Sequence, residues 1–203
     1  MADTQPTADF AISKFKSNLA QGGARPSLFQ VELLYPIHPK LDQPATQSKF
    51  LVKGASIPAS SVGSFDVYHH GKAIKVAGDR TYDTWETTII NDEDYGIRIA
   101  IEQWMDLISN HVLNTRDTSF RQNGKNEGEN ASYKKTIKVT QFMKDGHEAH
   151  HYHIIGAFPT ALSAIALDWG TQEIEEYTVT WAYDRWMPGY IPIHGLPSES
   201  HPS

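Results

Sequence analysis

The sequence predicts a mainly β domain, a sandwich or barrel of antiparallel strands, with one α-helix packed against it. Several segments alternate apolar and polar residues with a period of two, as half-buried strands do. One segment near the middle repeats apolar residues at spacings of three and four, which is typical of an amphipathic helix. The 203 residues suffice for one domain with a sizeable core, and because cysteine is absent, stability must come from packing or assembly.

Four segments show the alternation of a strand. LFQVELLY carries on one face Phe29, Val31, Leu33 and Tyr35. KFLVKGASIP predicts a shorter strand that ends at Pro58. YKKTIKVTQF is the clearest case, because Ile137 and Val139 alternate with Lys and Thr. EEYTVTWAYD places on one face Tyr177, Val179, Trp181 and Tyr183.

A hairpin is predicted in SFDVYHHGKAIKV, where two short strand-like runs flank HHGK. Gly71 can supply the positive φ angle that a tight hairpin turn requires. The following stretch, VAGDRTYDTWETTIINDED from Val76 to Asp94, contains a glycine, an Asp-Arg pair, an alternating strand and a group of acids. Such a stretch could belong to an active site or to a joint between subunits.

One helix is predicted from about Glu93 to Val112. Asn91 or Asp92 can cap its start, and Glu93 and Asp94 suit the positive end of the helix dipole. These acids could also serve acid-base chemistry, but capping accounts for them without it. The apolar stripe of the helix consists of Ile97, Ile101, Trp104, Ile108 and Val112.

We divide the chain into an N-terminal arm (1–23), one domain (24–186) and a C-terminal extension (187–203). The arm is polar and contains glycine and proline. The extension has four prolines in seventeen residues and therefore cannot form a central strand. Within the domain, the polar, Gly- and Asn-rich residues 114–132 predict a surface loop.

The charge balance argues against a nucleic-acid binder. Eighteen basic and twenty-four acidic residues give a net charge of −6, the wrong sign for a chain that gains affinity by releasing counterions from phosphates. The sequence also has no apolar stretch long enough to span a bilayer and no signal-peptide pattern at its start. We therefore expect a soluble protein without stable membrane binding.

The histidine-rich segment HEAHHYH could bind a metal ion such as zinc, nickel or copper through neutral imidazoles. On a strand, His151 and His153 would share a face. The alternative is a polar hairpin end, with these imidazoles and those of His147 and His150 in solvent. Because no HExxH or other recognised ligand spacing is present, the alternative is favoured and we predict no metal site.

Motifs for other chemistry are missing as well. The stretch GASIP, residues 54–58, lacks the second glycine of a nucleophile elbow and predicts a loop. Neither a Walker A motif nor a GxGxxG motif occurs, so we predict no nucleotide cofactor. We predict no catalytic residues and no cofactor of any kind.

Four tryptophans fall on or beside the predicted strands: Trp85, Trp169, Trp181 and Trp186. They are either ordinary core residues of a β domain or anchors of subunit contacts, where aromatic residues and arginine are enriched. The core interpretation is favoured for Trp85 and Trp181.

Seven collinear motifs give the chain a resemblance to a known family. In order they include ARPSLFQVELLY, KGASIPAS, KVAGDRTYDTW, TIINDED with IEQW, YKKTIKVTQF, GAFPTALSAIALDW and EIEEYTVTWAYDRW. From about Ala24 to Trp186 the chain resembles the tail tube proteins of contractile-tailed bacteriophages. The AGDRT and LDW segments are the most specific part of the resemblance.

The resemblance implies a structural virion protein and not an enzyme. Six copies would form a ring, with their strands joined into one continuous barrel around a channel, and rings would stack into the inner tube of the tail. The implied partners are the tail sheath, baseplate, tail terminator and tape-measure proteins, and genomic DNA would pass through the channel without specific binding. Assembly would take place in the cytoplasm of the host bacterium.

Ring closure makes physical sense for such a chain. A strand-rich monomer exposes edges with unpaired N–H and C=O groups, and joining the sheets of several copies covers them. A channel without rows of basic residues would also let a duplex slide, because each ionic contact to phosphate retards it.

The resemblance also suggests which residues meet neighbours. Gly78 would make a backbone turn at the end of the hairpin arm, and Asp79, Arg80 and Trp85 would contact another subunit. The alternative for Asp79 and Arg80 is a salt bridge within the turn. The polar face of the helix would contact the sheath, or water only, through Arg98, Glu102, Gln103 and Asp106.

Two other functions are compatible with the sequence. One is the inner tube of a phage-derived contractile injection particle, such as a bacteriocin, which delivers no genome. The other is a small metal-dependent enzyme built on the histidine-rich segment.

Overall fold

The computed structural model describes residues 12, 16–17, 23–36, 49–111, 115 and 133–189. Most of the predicted N-terminal arm, nearly all of the loop 114–132, Val112 and residues 190–203 lie outside this part of the chain. The elements are β1 (Phe29–Leu33), β2 (Val52–Ala55), β3 (Ser61–His69), β4 (Lys72–Thr81), β5 (Trp85–Ile90), α1 (Gly96–Ile108), β6 (Lys135–Phe142), β7 (Glu148–Leu162), β8 (Glu176–Ala182) and β9 (Arg185–Pro188).

The strands form an antiparallel sheet in the order β1-β6-β7-β8-β5-β2, with β9 paired to β7. Strands β3 and β4 form a separate two-stranded sheet. The prediction of a mainly β fold with a flanking helix is therefore confirmed. The path begins at β1 and ends at β2, and no pairing between these two described strands closes it into a barrel.

Strand β7 turns the sheet back on itself. Its first half pairs with β6, where Val139 faces Tyr152, and its second half pairs with β8, where Phe158 faces Ala182. Between the two halves, Gly156 has a φ angle of 74°, and a Cβ placed there would lie 2.3 Å from an Asp184 carboxylate oxygen. A residue without a side chain is therefore needed at this bend.

The core lies between the two halves of the sheet and α1. Strand β8 buries alternate residues, as its sequence predicts, and Trp181 is fully buried. Of its predicted apolar stripe the helix buries Ile97, Ile101 and Trp104, whereas Ile108 is only partly buried. The ring of Trp104 lies 5.8 Å from the ring of Trp181. The predicted strands correspond to β1, β2, β6 and β8.

Two predictions about the start of the helix are wrong: neither Asn91 nor Asp92 caps it, and Glu93 and Asp94 do not lie in its first turn. The helix begins at Gly96 after Tyr95, whose backbone is left-handed (φ 54°) and whose side chain makes no capping hydrogen bond. Asn91 instead donates a hydrogen bond from its side-chain amide to the Glu175 carboxylate at 2.8 Å.

No helix among the described residues is long and apolar enough to cross a membrane.

Candidate subunit interface

Strands β3 and β4 form an arm of 9 and 10 residues that pairs with itself and packs extensively on no other described element. The predicted turn is present, since His70 and Gly71 have φ angles of 46° and 80°. At a rise of about 3.3 Å per residue, such an arm reaches roughly 30 Å. It is long enough to meet another molecule.

One face of this hairpin is apolar and exposed. Phe65 faces Val76 and Val67 faces Ile74 across the two strands. The exposed fractions of Phe65 and Ile74 are 54% and 56%. We call the four side chains Phe65, Val67, Ile74 and Val76 the apolar hairpin face. Contiguous exposed apolar residues of this kind mark interaction surfaces in folded proteins.

The opposite face of the hairpin is polar. Lys75 forms an ion pair of 3.2 Å with Asp66, its cross-strand neighbour, and Tyr68 is well exposed. The hairpin is therefore amphipathic, although neither of its faces packs extensively on another element in the part of the chain that the structure describes. Strand propensity alone does not explain such a pattern, but a contact with another molecule does.

Gly78 does not make a turn, contrary to its predicted role. It lies inside β4 at a β-bulge, where Gly78 and Asp79 together lie opposite Gly63. A Cβ at Gly78 would lie 3.3 Å from the carbonyl carbon and oxygen of Gly63, so the glycine allows a close approach of two backbones. Gly78 therefore lies within the arm and does not mark its end.

Asp79 and Arg80 follow in the same strand and are exposed. Within the described part of the chain, no ion pair joins either side chain to an opposite charge, so the alternative of a salt bridge within the turn is not seen there. Trp85, in contrast, is only 2% exposed and donates a hydrogen bond to the Ser56 carbonyl at 2.7 Å. Its burial supports the core interpretation instead of a subunit contact.

The polar face of α1 is partly engaged within the chain. Arg98 pairs with Glu102 at 2.9 Å, and its guanidinium lies 5.1 Å from the ring centre of Tyr177. Asp106 accepts hydrogen bonds from the Asn110 side chain and the His111 backbone just beyond the helix. Arg98 and Asp106 therefore have structural roles, whereas Glu102 remains exposed.

An open groove of about 650 Å³ runs along this side of the helix. It is lined by Glu102, Gln103, Met105, Asp106, Leu107, His111 and Leu162. Three of the four predicted sheath-facing residues thus lie in one concave surface, and the fourth, Arg98, does not line it.

The histidine-rich segment lies mainly in the first half of β7. The rings of His151 and His153 are 5.0 Å apart, and His151 Nδ1 lies 2.6 Å from a Glu148 carboxylate oxygen. The segment does follow a hairpin turn, but both imidazoles are half-buried and not in solvent. Burial, with the neighbouring charges of His151 and Lys138, lowers the pKa of His153. No three His, Asp or Glu side chains of the described residues converge as metal ligands.

A second exposed apolar surface contains Trp169, for which the sequence left a core role and a subunit contact both open. It lies in residues 163–175, which we call the β7–β8 loop. Leu167 and Ile174 are 79% and 72% exposed, and Trp169 is fully exposed. The LDW motif was recognisable in the sequence, but nothing in its local pattern indicated that its tryptophan points to solvent.

Residues 24–188 match the model of a protein family described as phage tail tube protein. The chain belongs to the phage tail tube protein family. Two curated relatives are tail tube proteins gp19 of Enterobacteria phages T4 and T6, 34% and 33% identical over 165 residues, which cover 80% of this chain and 90% of each relative. The protein is therefore a structural component of a phage tail and not an enzyme.

Solved structures confirm the fold of this tail tube protein. One is the sheath/tube terminator of an extracellular contractile injection system, with a TM-score of 0.58 and 16% identity over 83% of this chain and 97% of that one. Another is the cap of the anti-feeding prophage, with a TM-score of 0.57 and 16% identity over 82% and 91%. At this identity the likeness concerns the fold alone.

Proposed function

We propose that this tail tube protein builds the hollow inner tube of a contractile phage tail, as hexameric rings stacked around a channel. In each ring the sheets of six copies join into one continuous barrel. The observation that carries this proposal is the apolar hairpin face, four apolar side chains on an arm that packs extensively on no other element of the described residues.

The energetics of the arm favour assembly. Fully burying a Val, Ile or Phe side chain contributes about 1.5–3 kcal/mol, so four such residues supply several kcal/mol when a neighbour covers them. Association itself costs at least roughly 4 kcal/mol of translational and rotational freedom, so the arm must act together with other contacts. Strands β1 and β2 end the described sheet path, and joining them to strands of other copies would add backbone hydrogen bonds to these contacts.

A tube built from such rings has an outer surface, two ends and a channel, and each of these would contact a different partner. The tail sheath surrounds the tube and contacts the polar face of α1 beside the groove that Glu102 and Gln103 line. Baseplate and tail terminator proteins cover the two ends of the tube. Tape-measure protein fills the channel during assembly in the host cytoplasm, and genomic DNA passes through it during ejection. A net charge of −6 is compatible with a lining that does not retain DNA.

A pair of hairpin variants tests the proposal. In Phe65→Asp a charge replaces a member of the apolar hairpin face, whereas Tyr68→Asp makes the same change on the polar face of the same arm. We expect the first variant to stay monomeric in sedimentation velocity and the second to form tubes as the unmodified chain does. Tubes from Phe65→Asp equal in yield to those from Tyr68→Asp would contradict the proposed role of this face.

A further inference from the structure

We propose that the apolar hairpin face of one copy docks on the β7–β8 loop of another copy. This inference rests on the proposed function and names the surface that receives the arm. Both surfaces are apolar and exposed in the single chain, and they belong to different parts of the fold.

The β7–β8 loop presents its tryptophan in a defined turn. The Asp168 carboxylate accepts a hydrogen bond from the Gly170 backbone N–H at 2.9 Å, and the Asp168 carbonyl accepts one from the Thr171 N–H at 3.2 Å. Trp169 lies inside this turn and points outward, with Leu167 and Ile174 exposed nearby in sequence. Tryptophan is among the residues that dominate the binding energy of interfaces, so an exposed indole held in such a turn suits an interface.

Charge complementarity favours the hairpin as the occupant. The β7–β8 loop contains the three acids Asp168, Glu173 and Glu175 and no basic residue. Glu175 is used within the chain, where it accepts hydrogen bonds from Asn91 and Tyr95. The hairpin carries Lys72 on the same side as its apolar face, whereas Lys75 lies on the opposite face and is paired with Asp66. An apolar surface beside a lysine thus meets an apolar surface beside acids.

Ring geometry requires two such surfaces on one chain. A head-to-tail contact between identical subunits joins two different surfaces. Each copy presents one of these surfaces to the preceding subunit and the other to the following subunit. The hairpin cannot satisfy this requirement with its own apolar face, which would give a two-fold dimer. The β7–β8 loop supplies the second surface.

Disulfide crosslinking tests the contact directly, because the chain has no cysteine of its own. A Val67→Cys chain is mixed with a size-tagged Thr171→Cys chain, assembled and oxidised. The matched control replaces Val67→Cys by Tyr68→Cys, the neighbouring residue on the opposite hairpin face. We expect about tenfold more mixed dimer from the first pair, since a disulfide forms only between side chains whose Cβ atoms point toward each other, and Tyr68 points away from the apolar hairpin face. Equal yields from the two pairs would overturn the inference.

A second measurement uses complementation. We expect Phe65→Asp and Trp169→Asp chains each to remain folded and monomeric, because both side chains are exposed. Their mixture should form a dimer, in which the intact hairpin of one variant meets the intact loop of the other. Tube formation by Trp169→Asp at the yield of the unmodified chain would overturn the inference and leave the proposed function standing. If the unmodified chain forms no rings, the proposed function fails and the inference falls with it.

Discussion

The indole nitrogen of Trp181 donates a hydrogen bond to the hydroxyl oxygen of Thr87 at 2.9 Å inside the core. The two residues lie on the neighbouring strands β8 and β5, and both are almost completely buried. A tryptophan N–H at such depth has no water to bond with. The Thr87 hydroxyl therefore satisfies the Trp181 N–H, which would otherwise be a buried donor without an acceptor.

Replacing that acceptor should destabilise the fold. In Thr87→Val the shape of the side chain is kept but the Trp181 N–H loses its partner, which costs about 1–3 kcal/mol in the free energy of unfolding. Urea denaturation measures the loss. The control Thr88→Val changes the neighbouring, half-buried residue on the other face of β5 and should cost clearly less. Equal stability of the two variants would contradict the role of the hydrogen bond.

Burial raises the pKa of both Tyr35 and Tyr177 above the usual value of about 10. The folded protein therefore holds these phenolic protons more tightly than the unfolded chain. Their contribution to stability is complete below about pH 10 and is lost as the pH rises further, with a slope of about 1.4 kcal/mol per pH unit for each group. The free energy of unfolding measured between pH 8 and pH 11.5 should show this decline.

Replacing Tyr35 or Tyr177 with phenylalanine should reduce the loss of unfolding free energy at alkaline pH. Among the described residues, the hydroxyls of Tyr35 and Tyr177 have no hydrogen-bond partner. Tyr35→Phe and Tyr177→Phe should therefore be as stable as the unmodified chain at pH 7, or more stable by up to about 1 kcal/mol. Tyr68→Phe, which alters an exposed side chain, is the control and should change neither quantity. A Tyr177→Phe variant with an unchanged alkaline slope would refute this explanation.

The bend in β7 should not tolerate a side chain. Gly156→Ala combines the strain of a positive φ angle, about 1–2 kcal/mol, with displacement of the Asp184 carboxylate, which pairs with Lys134 at 2.7 Å. Gly146→Ala is the matched control, because Gly146 also has a positive φ angle but nothing lies within 4 Å of its Cβ position. Thermal unfolding should show a larger loss for Gly156→Ala, and a loss equal to the control would show that Asp184 adds nothing.

Arg80 should matter for assembly and not for the monomer. Its guanidinium is exposed on the hairpin and can make charge-assisted hydrogen bonds to a neighbouring copy. Arg80→Ala should reduce tube yield in electron micrographs while the circular dichroism spectrum stays the same. Lys144→Ala, which removes an exposed positive charge in the β6–β7 turn, should leave the yield unchanged. Intact tubes from Arg80→Ala would remove this residue from the interface.

Where one face of an element is buried, the sequence predicts the structure well. Val31, Val139 and Trp181 alternate with polar residues because the pleat sends neighbouring side chains to opposite sides, and all three are in the core. The helix stripe, with Ile97 and Trp104 buried, follows the same logic with a longer period. The hairpin was recognisable from the requirement of its turn for Gly71.

Features set by tertiary geometry could not be read from local patterns. Strand β7 changes partners at Gly156, and no periodicity reveals that change. Tyr95 starts the helix through a left-handed backbone, which few sequences signal. Gly78 is required by the close approach of the Gly63 backbone, which lies across the hairpin and not next to it in sequence. The exposure of Trp169 likewise depends on the placement of the whole β7–β8 loop.

Cryo-electron microscopy of the purified full-length chain, at increasing concentration and with its baseplate as a nucleus, tests the central claim most directly. We expect stacked hollow rings of six copies, with each hairpin covered by a neighbouring copy. Single particles at every concentration, with no annular species even beside the baseplate, would contradict the account.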